Sequence, residues 1–568
     1  MSIVLSKLSR IICFVFAGLV PVIPAVAQEQ EVLPPLNIVW LSVEDMSPWL
    51  ACYGDDTVDT PNIDRLAREG VRYENAYASS PVCAPARSSL ITGMYATRIG
   101  TMHMRNGNPS RAAMERDPQA YADIPGYEGM PPAFVRCFPE HLRVAGYYCT
   151  NNSKKDYQFK EPVTVWDESS RQAHWRNRAE GQPFFAVFNC GLTHESRAFP
   201  KANRQPEVVS PAEVPLPPFY PDTPEVRDAV ARTYNNIAAM DLWLGEKMEE
   251  LEDAGLLENT VVIFFSDHGV GLPRGKRSVY DTGTRVPLIV RYPDGRGAGT
   301  TDDRVVSFID FGPSVLSLAG IESDERLDGV PFVGEHAREG IGLSFTHADR
   351  FDAEREQTRS VTDGRYRYVR NYITQVPHLI DNAYRENLLM TAQLYALRQT
   401  GPPRPEQWQM ASTVRPAEEF YDTQSDPWEV QNLIDDPQHA ERISQMRAAV
   451  EAWIEDTGDL GFVLPETVLV RDHIWAPDGV QPTTAEPVVN CDIAQREGRM
   501  YYDVTITCET PGASIGYRLS DHAQHDGPWT VYTPGEVLFT TGDVRFLEVA
   551  AHRIGHKPVT TQILLGGE

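Results

Sequence analysis

Two pairs of metal-binding residues stand behind apolar, β-rich runs. Glu44-Asp45 follows Asn37 to Val43, and Asp267-His268 follows Val261 to Phe265. An open α/β sheet collects its site at the carboxyl ends of such strands. Together the four make a ligand set for one divalent cation. Three carboxylates favour a hard ion such as calcium or magnesium. The histidine nitrogen is a softer donor and leaves manganese or another transition metal open. A third stretch, Ser79 to Gly93, centres on Cys83-Ala84-Pro85-Ala86-Arg87. The residues after Cys83 are helix-compatible up to Gly93, so Cys83 falls where a loop enters a helix, beside free backbone N–H groups. Arg87, one turn on, adds a fixed guanidinium. The stretch reads as an anion site or as a buried free cysteine beside a proline turn.

The elements that must position these residues alternate in type. Asn37 to Val43, Val71 to Tyr77, Tyr147 to Thr150, Phe184 to Asn189, Val261 to Phe265 and Val286 to Arg291 read as strands. Thr60-Pro61 opens a helix that Gly70 stops. Glu140 to Ala145, Val226 to Ala254 and Phe308 to Leu318 read as further helices. This alternation predicts an α/β fold, with a mainly parallel sheet covered by helices on both faces. Thr101 to Pro132, which holds His103, reads as loops over the site. The strand ending at Thr150 runs into Lys154 and Lys155, and the one ending at Asn189 runs into His194.

The chain has 568 residues, which predicts more than one domain. Lys7 and Arg10, the apolar run Ile11 to Ile23 and Ala25-Val26-Ala27 predict a secretory signal over residues 1–27. No later stretch is long enough for an integral membrane segment. Eight cysteines are too few for a disulfide scaffold; Cys491 and Cys508 are the pair that could bridge. The formal charge of −27 argues against a nucleic-acid partner. An anionic substrate would then need a local cationic pocket, for which Arg274, Lys276, Arg277 and Arg285 are candidates. The predicted catalytic domain covers residues 28–370, with a C-terminal subdomain of the same unit over 371–476. A Pro/Thr-rich linker over 477–487 leads to an appended β-sandwich over 488–568.

The Cys83 stretch resembles the type I sulfatases of the alkaline-phosphatase superfamily. The likeness runs from about Asn37 to about Asp435. It takes in NIVWLSVED, DTPNIDRLAREGVRYENAYASSPVCAPARSSLITG, VVIFFSDHG, GKRSVYDTGTRVPLIVRYP and YDTQSDPWEVQNL, in the family's order. The resemblance implies that a maturation enzyme oxidises Cys83 to formylglycine. Its hydrate would be the nucleophile and also a metal ligand, beside Glu44, Asp45, Asp267 and His268. One hydroxyl attacks sulfur, and the other lets the sulfated intermediate collapse with release of sulfate. Arg87 would hold the diol, while Lys154 and Lys276 would neutralise the sulfate oxygens. His194 would protonate the leaving oxygen. Apart from the resemblance, Arg274 and Arg277 of the cationic-pocket candidates are expected to bind substrate. Calcium is the family's usual metal.

Departures from the pattern bear on these roles. Many members have Asp-Asp and Asp-Asn where this chain has Glu44-Asp45 and Asp267-His268. The family's lysine usually has a histidine two residues on; here Lys154 is followed by Asp156 and Lys155 by Tyr157. Lys154 is preferred, with Lys155 as the alternative. The base that deprotonates the diol is left open, with His103 a candidate for it or for substrate binding. The activity implied is a secreted or periplasmic sulfatase acting on a sulfated glycan. A phosphomonoester or phosphonate hydrolase of the same superfamily and a silent glycan-binding protein are the alternatives.

Overall fold

The computed structural model describes residues 35–106, 114–115, 118–119, 121–122, 124–496, 499–523, 527–541 and 544–565. The signal segment, Cys13 with it, and part of the stretch after Thr101 lie outside the described residues. Among the described residues no helix is long and apolar enough to cross a membrane.

An eight-stranded sheet forms the centre. Its strands are β1 (Asn37–Val43), β2 (Val71–Tyr77), β3 (Tyr148–Asn152), β4 (Glu168–Ser169), β5 (Phe184–Cys190), β6 (Thr260–Ser266), β7 (Arg285–Arg291) and β8 (Thr300–Ser307). Their order is β4-β3-β5-β1-β6-β7-β2-β8. Strand β7 runs antiparallel to both its neighbours. The other neighbouring pairs are parallel. Every residue of β1 and of β6 is buried, as expected for strands covered on both faces. Alternation splits β1 between two cores: Val39, Leu41 and Val43 face one, and Ile38 and Trp40 the other.

Helices α1 (Pro61–Glu69) and α3 (Pro224–Asp253) cover the first face. Helices α2 (Cys83–Thr92) and α4 (Phe311–Leu318) cover the second. Helix α3 starts where Thr223 accepts from Val226 N–H and Pro224 takes the first position. The helix expected over Phe308 to Leu318 divides into a 3-10 turn, Phe308–Asp310, and α4. Pro313 has no N–H to return to Ile309, and the Ser307–Asp310 capping box closes the short turn instead.

A second, antiparallel sheet comprises β9 (Ser344–Ala348), β10 (Thr358–Thr362), β11 (Tyr366–Asn371) and β12 (Glu418–Asp422). Helix α5 (Ala440–Thr457) packs Ile443, Met446, Val450 and Trp453 on Phe345, Val361, Tyr368 and Phe420. The boundary expected at 370/371 therefore cuts through β11. The meander binds both sides of that point by backbone pairing, which composition does not reveal.

The C-terminal part is a sandwich. One sheet holds β13 (Val488–Arg496), β14 (Arg499–Thr507) and β17 (Leu538–Thr541). The other holds β15 (Ser514–Ser520), β16 (Thr530–Val531), β18 (Phe546–His552) and β19 (Val559–Leu564). Tyr502, Val504, Ile506, Ile515, Leu547 and Val549 form its core. The segment expected to be a linker is pinned: Lys557 N–H donates to Pro482 O at 2.8 Å and Thr484 N–H to Lys557 O at 3.0 Å. Ile554 enters the core under the main sheet, and Arg143 donates to the Trp529 carbonyl. The pairing of Cys491 with Cys508 is ruled out. Both are free thiols, and the register sets Cys491 opposite Val504, four residues from Cys508.

Candidate active site

The register of β1 against β6 builds the site. Asn37 faces Thr260 and Val43 faces Ser266, so the two strands end flush. Glu44-Asp45 and Asp267-His268 then leave the sheet side by side. The Asp45 N–H donates to Asp267 Oδ1 at 3.1 Å and Asp267 N–H to Val43 O at 3.0 Å. Asp45 turns sharply, with φ of 55°, a left-handed value that aspartate tolerates better than most residues.

Helix α2 brings Cys83 to this point at its first residue. Cys83 Sγ is 3.2 Å from His268 Nε2, 3.8 Å from Asp45 Oδ1 and 3.6 Å from Lys276 Nζ. Asp45, Cys83, Asp267 and His268 are buried, with their ligand atoms within 4.8 Å of one another; Glu44, Asp45, Cys83 and His194 form an overlapping group. His268 Nδ1 lies 2.9 Å from the Gly269 carbonyl, so Nδ1 carries the proton and donates. Nε2 is the nitrogen turned to the cluster, 3.0 Å from Asp45 Oδ1, and a metal there would take the place of its proton. Burial alone would make His268 less basic. Asp267 and Asp45 outweigh it and push the ring up to about 10. Burial would likewise raise both aspartates, but Lys276 and the histidines hold Asp45 well below the usual carboxylate range, and His268 and Arg87 depress Asp267. A buried, carboxylate-rich set that draws a proton onto its histidine is chemically suited to a divalent cation.

Cationic side chains close round this cluster. Arg87, one turn along α2, donates from Nε to Asp267 Oδ2 at 3.0 Å and from Nη1 to Asn189 Oδ1 at 2.9 Å. Its Nη2 is buried and has no hydrogen-bond partner among the described residues. Lys276 lies 2.7 Å from Asp45 Oδ2 and 3.5 Å from His194 Nε2. Lys154 lies 3.0 Å from Glu44 Oε2 and 3.6 Å from Asp156. Lys155 is turned away to Glu161, which favours Lys154 of the two. Burial would lower both Lys154 and Lys276; the adjoining carboxylates and Cys83 raise them, and both stay charged.

His194 follows β5, next to β1. Its Nε2 is 3.9 Å from Glu44 Oε2. Its Nδ1 faces Ser196, with the Ser196 N–H donating at 3.3 Å and the hydroxyl at 2.9 Å. Nδ1 therefore accepts, and the ring proton sits on Nε2, facing Lys276 and Glu44. Burial, helped by Lys276 and Lys154, lowers its basicity against the pull of Asp45 and Glu44.

Three expected residues sit elsewhere. Arg274 is buried, donates to Gln409 and the Glu429 carbonyl and lies 3.9 Å over the Tyr280 ring. Arg285 donates to the Glu74 carbonyl at 2.8 Å, away from the cluster. His103 is buried against Glu466, 3.6 Å away, and accepts from Arg350 N–H at 3.3 Å. Arg277 reaches the site but is engaged with Glu195 through two bonds of 2.9 and 3.1 Å, so it supports rather than binds. Sequence reasoning missed Asn189, Glu195 and Ser196. All three flank motifs at strand ends, and only the folded neighbourhood gives them partners.

Residues 36–321 match the family model described as Sulfatase, and residues 273–382 match the one described as N-sulphoglucosamine sulphohydrolase, C-terminal. An ulvan-active sulfatase of Formosa agariphila is 40% identical over 557 residues, spanning 92% of this chain and 90% of the relative. The chain belongs to the sulfatase family. It is an enzyme that hydrolyses sulfate esters. The human N-sulphoglucosamine sulphohydrolase is 26% identical over 77% of this sulfatase and 93% of its own length. The fold is shared with a putative sulfatase, yidJ, from Bacteroides fragilis, at a TM-score of 0.51 and 20% identity, covering 76% of this chain and 98% of that one. It is shared equally with a phosphonate monoester hydrolase from Silicibacter pomeroyi, at a TM-score of 0.52 and 16% identity, covering 76% and 97%. The alkaline-phosphatase-like α/β fold expected from sequence is thus the observed one.

Proposed function

We propose that this sulfatase is exported and desulfates a sulfated polysaccharide or oligosaccharide, using formylglycine made from Cys83 and one divalent cation, calcium by preference. The observation that carries the reading is the convergence of Cys83 Sγ, His268 Nε2 and Lys276 Nζ at the flush ends of β1 and β6. Relatives named for action on ulvan and on sulphoglucosamine support a glycan substrate. The signal-like opening supports export and contact with a maturation enzyme on the way.

Glu44, Asp45, Asp267 and His268 would hold the cation, with Cys83 as modified completing the set. Once present, formylglycine hydrate supplies an oxygen nucleophile and the cation supplies positive charge beside it. The chain's own residues do the rest. Arg87 is locked by Asp267 and Asn189 with one N–H pair left over, a donor for the nucleophile or the sulfate. Lys276 and Lys154 bring two fixed charges to oxygens on which charge builds up in the transition state. His194 presents Nε2–H beside Lys276, where a leaving alkoxide needs its proton. The test is a screen of defined sulfated saccharides, run with and without a chelator. Chelator-sensitive release of sulfate from at least one saccharide is expected. Faster turnover of phosphate or phosphonate monoesters than of any sulfate ester would overturn the reading.

A further inference from the structure

A ladder of ionic contacts leads outward from the site, and its outer rung has no role in the sulfate chemistry. Lys276 Nζ is 2.7 Å from Asp45 and 3.7 Å from Glu195, the residue after His194. Glu195 is gripped by Arg277, and Arg277 Nη2 lies 3.8 Å from Asp352 Oδ2. Burial falls off along the ladder. The side chains of Lys276, Glu195 and Arg277 are 3%, 1% and 8% exposed, and that of Asp352 is 16% exposed. Asp352 is the rung that meets solvent.

Asp352 is held as an acceptor. Asn382 Nδ2 donates to its Oδ2 at 3.0 Å, and Arg350 donates to its backbone carbonyl. Its φ of 59° is left-handed, a value that aspartate tolerates. Burial would raise its carboxyl, but Arg277 and Asn382 hold it below the ordinary value, so it is an anion at neutral pH. An ionised carboxylate anchored through one oxygen beside a buried guanidinium, with Arg105 near it, is suited to accept a hydrogen bond from an alcohol.

The ladder starts beside His194, the residue proposed above to protonate the leaving oxygen. We propose that Asp352, positioned by Asn382 and Arg277, binds a ring hydroxyl of the sugar that carries the scissile sulfate. The substrate class is then a sulfated sugar with a free hydroxyl close to the sulfate. This rests on the proposed glycan-sulfatase function. A site built to pair a hydroxyl discriminates strongly against substrates lacking one, because its own acceptor is left unpaired.

The test compares kcat and KM for two substrates, a sulfated saccharide found in the screen and an aryl sulfate without hydroxyls, in the native enzyme and in Asp352→Asn. The variant keeps the side-chain shape. Loss of kcat/KM on the saccharide should be tenfold or more beyond any loss on the aryl sulfate, and mostly in KM. Asn382→Ala should give a smaller loss with the same substrate preference, and it decides the matter should Asp352→Asn not fold. Equal losses on both substrates, or no loss on the saccharide, would overturn the subsite and leave the sulfatase reading standing. A screen in which the native enzyme turns over no sulfated saccharide would overturn both.

Discussion

His194 presents its two ring nitrogens to different surroundings, and that difference is testable. Ser196 occupies Nδ1, and Nε2 faces the cations of the site. A sugar alkoxide is strongly basic and needs a proton as it leaves; a nitrophenolate does not. His194→Ala should lower turnover of a sulfated saccharide by about a hundredfold or more, the range of general acid catalysis, and that of an activated aryl sulfate far less. Lys276→Ala should hurt both substrates alike if it answers charge on the sulfate as proposed. Equal losses for His194→Ala would move the histidine to sulfate binding. His103 leads to a different expectation. Burial lowers it to about 4, so the folded protein keeps it neutral. The unfolded chain takes up that proton near pH 6.5, so stability is full above this value and is lost as pH falls toward 4. Between pH 7.5 and 5 the loss is about 2 kcal/mol for this group. His103→Asn should therefore flatten the acid side of the urea-midpoint profile. An unchanged slope would mean that the ring is already solvated.

At the scale of elements, the site depends on loops that touch without side chains between them. Gly269 N–H donates to Gly283 O at 2.9 Å, and a Cβ on Gly269 would lie 2.1 Å from the Thr282 carbonyl oxygen. That obstacle is backbone and cannot swing aside. Gly269→Ala should displace His268 and Lys276 together, costing about 1–3 kcal/mol as overpacking does and most of the activity. Native Tm with native turnover would contradict the packing. The strands and α2 were legible because their signals are local: unbroken apolar runs for β1, β5 and β6, and Gly93 after α2. The Asp267-His268 pair was legible for the same reason, since it stands directly behind β6. The break before α4 was not, because the hydrophobic pattern runs straight through Pro313. Arg274 and Arg277 were read as free cations. Their partners Gln409, Glu429 and Glu195 are distant in sequence or carry no motif.

Across the whole molecule, the sandwich is part of the enzyme's packing. The β-rich rhythm of its strands was visible from residue 501 onward. Strand β13 was hidden by its polar residues and exposed edge, and the pinning of 477–487 by Lys557 is a tertiary contact that composition does not encode. Gly512 lies on the Ala133 backbone, Gly555 on Met130, and Arg553 donates to Pro131 O. These contacts brace the segment that leads toward Gln158 and the neighbourhood of His103. Removal of residues 477–568 should therefore lower Tm by at least about 5 °C, several kcal/mol for a domain of this size. An unchanged Tm would make the sandwich a passenger.

The central claim is that Cys83 becomes the nucleophile, and the mass of its tryptic peptide from active enzyme tests it most directly. Oxidation of the thiol to an aldehyde predicts a peptide about 18 Da lighter than the cysteine form, with sulfatase activity rising in proportion to that fraction. Fully active protein whose Cys83 peptide carries an intact thiol would contradict the account.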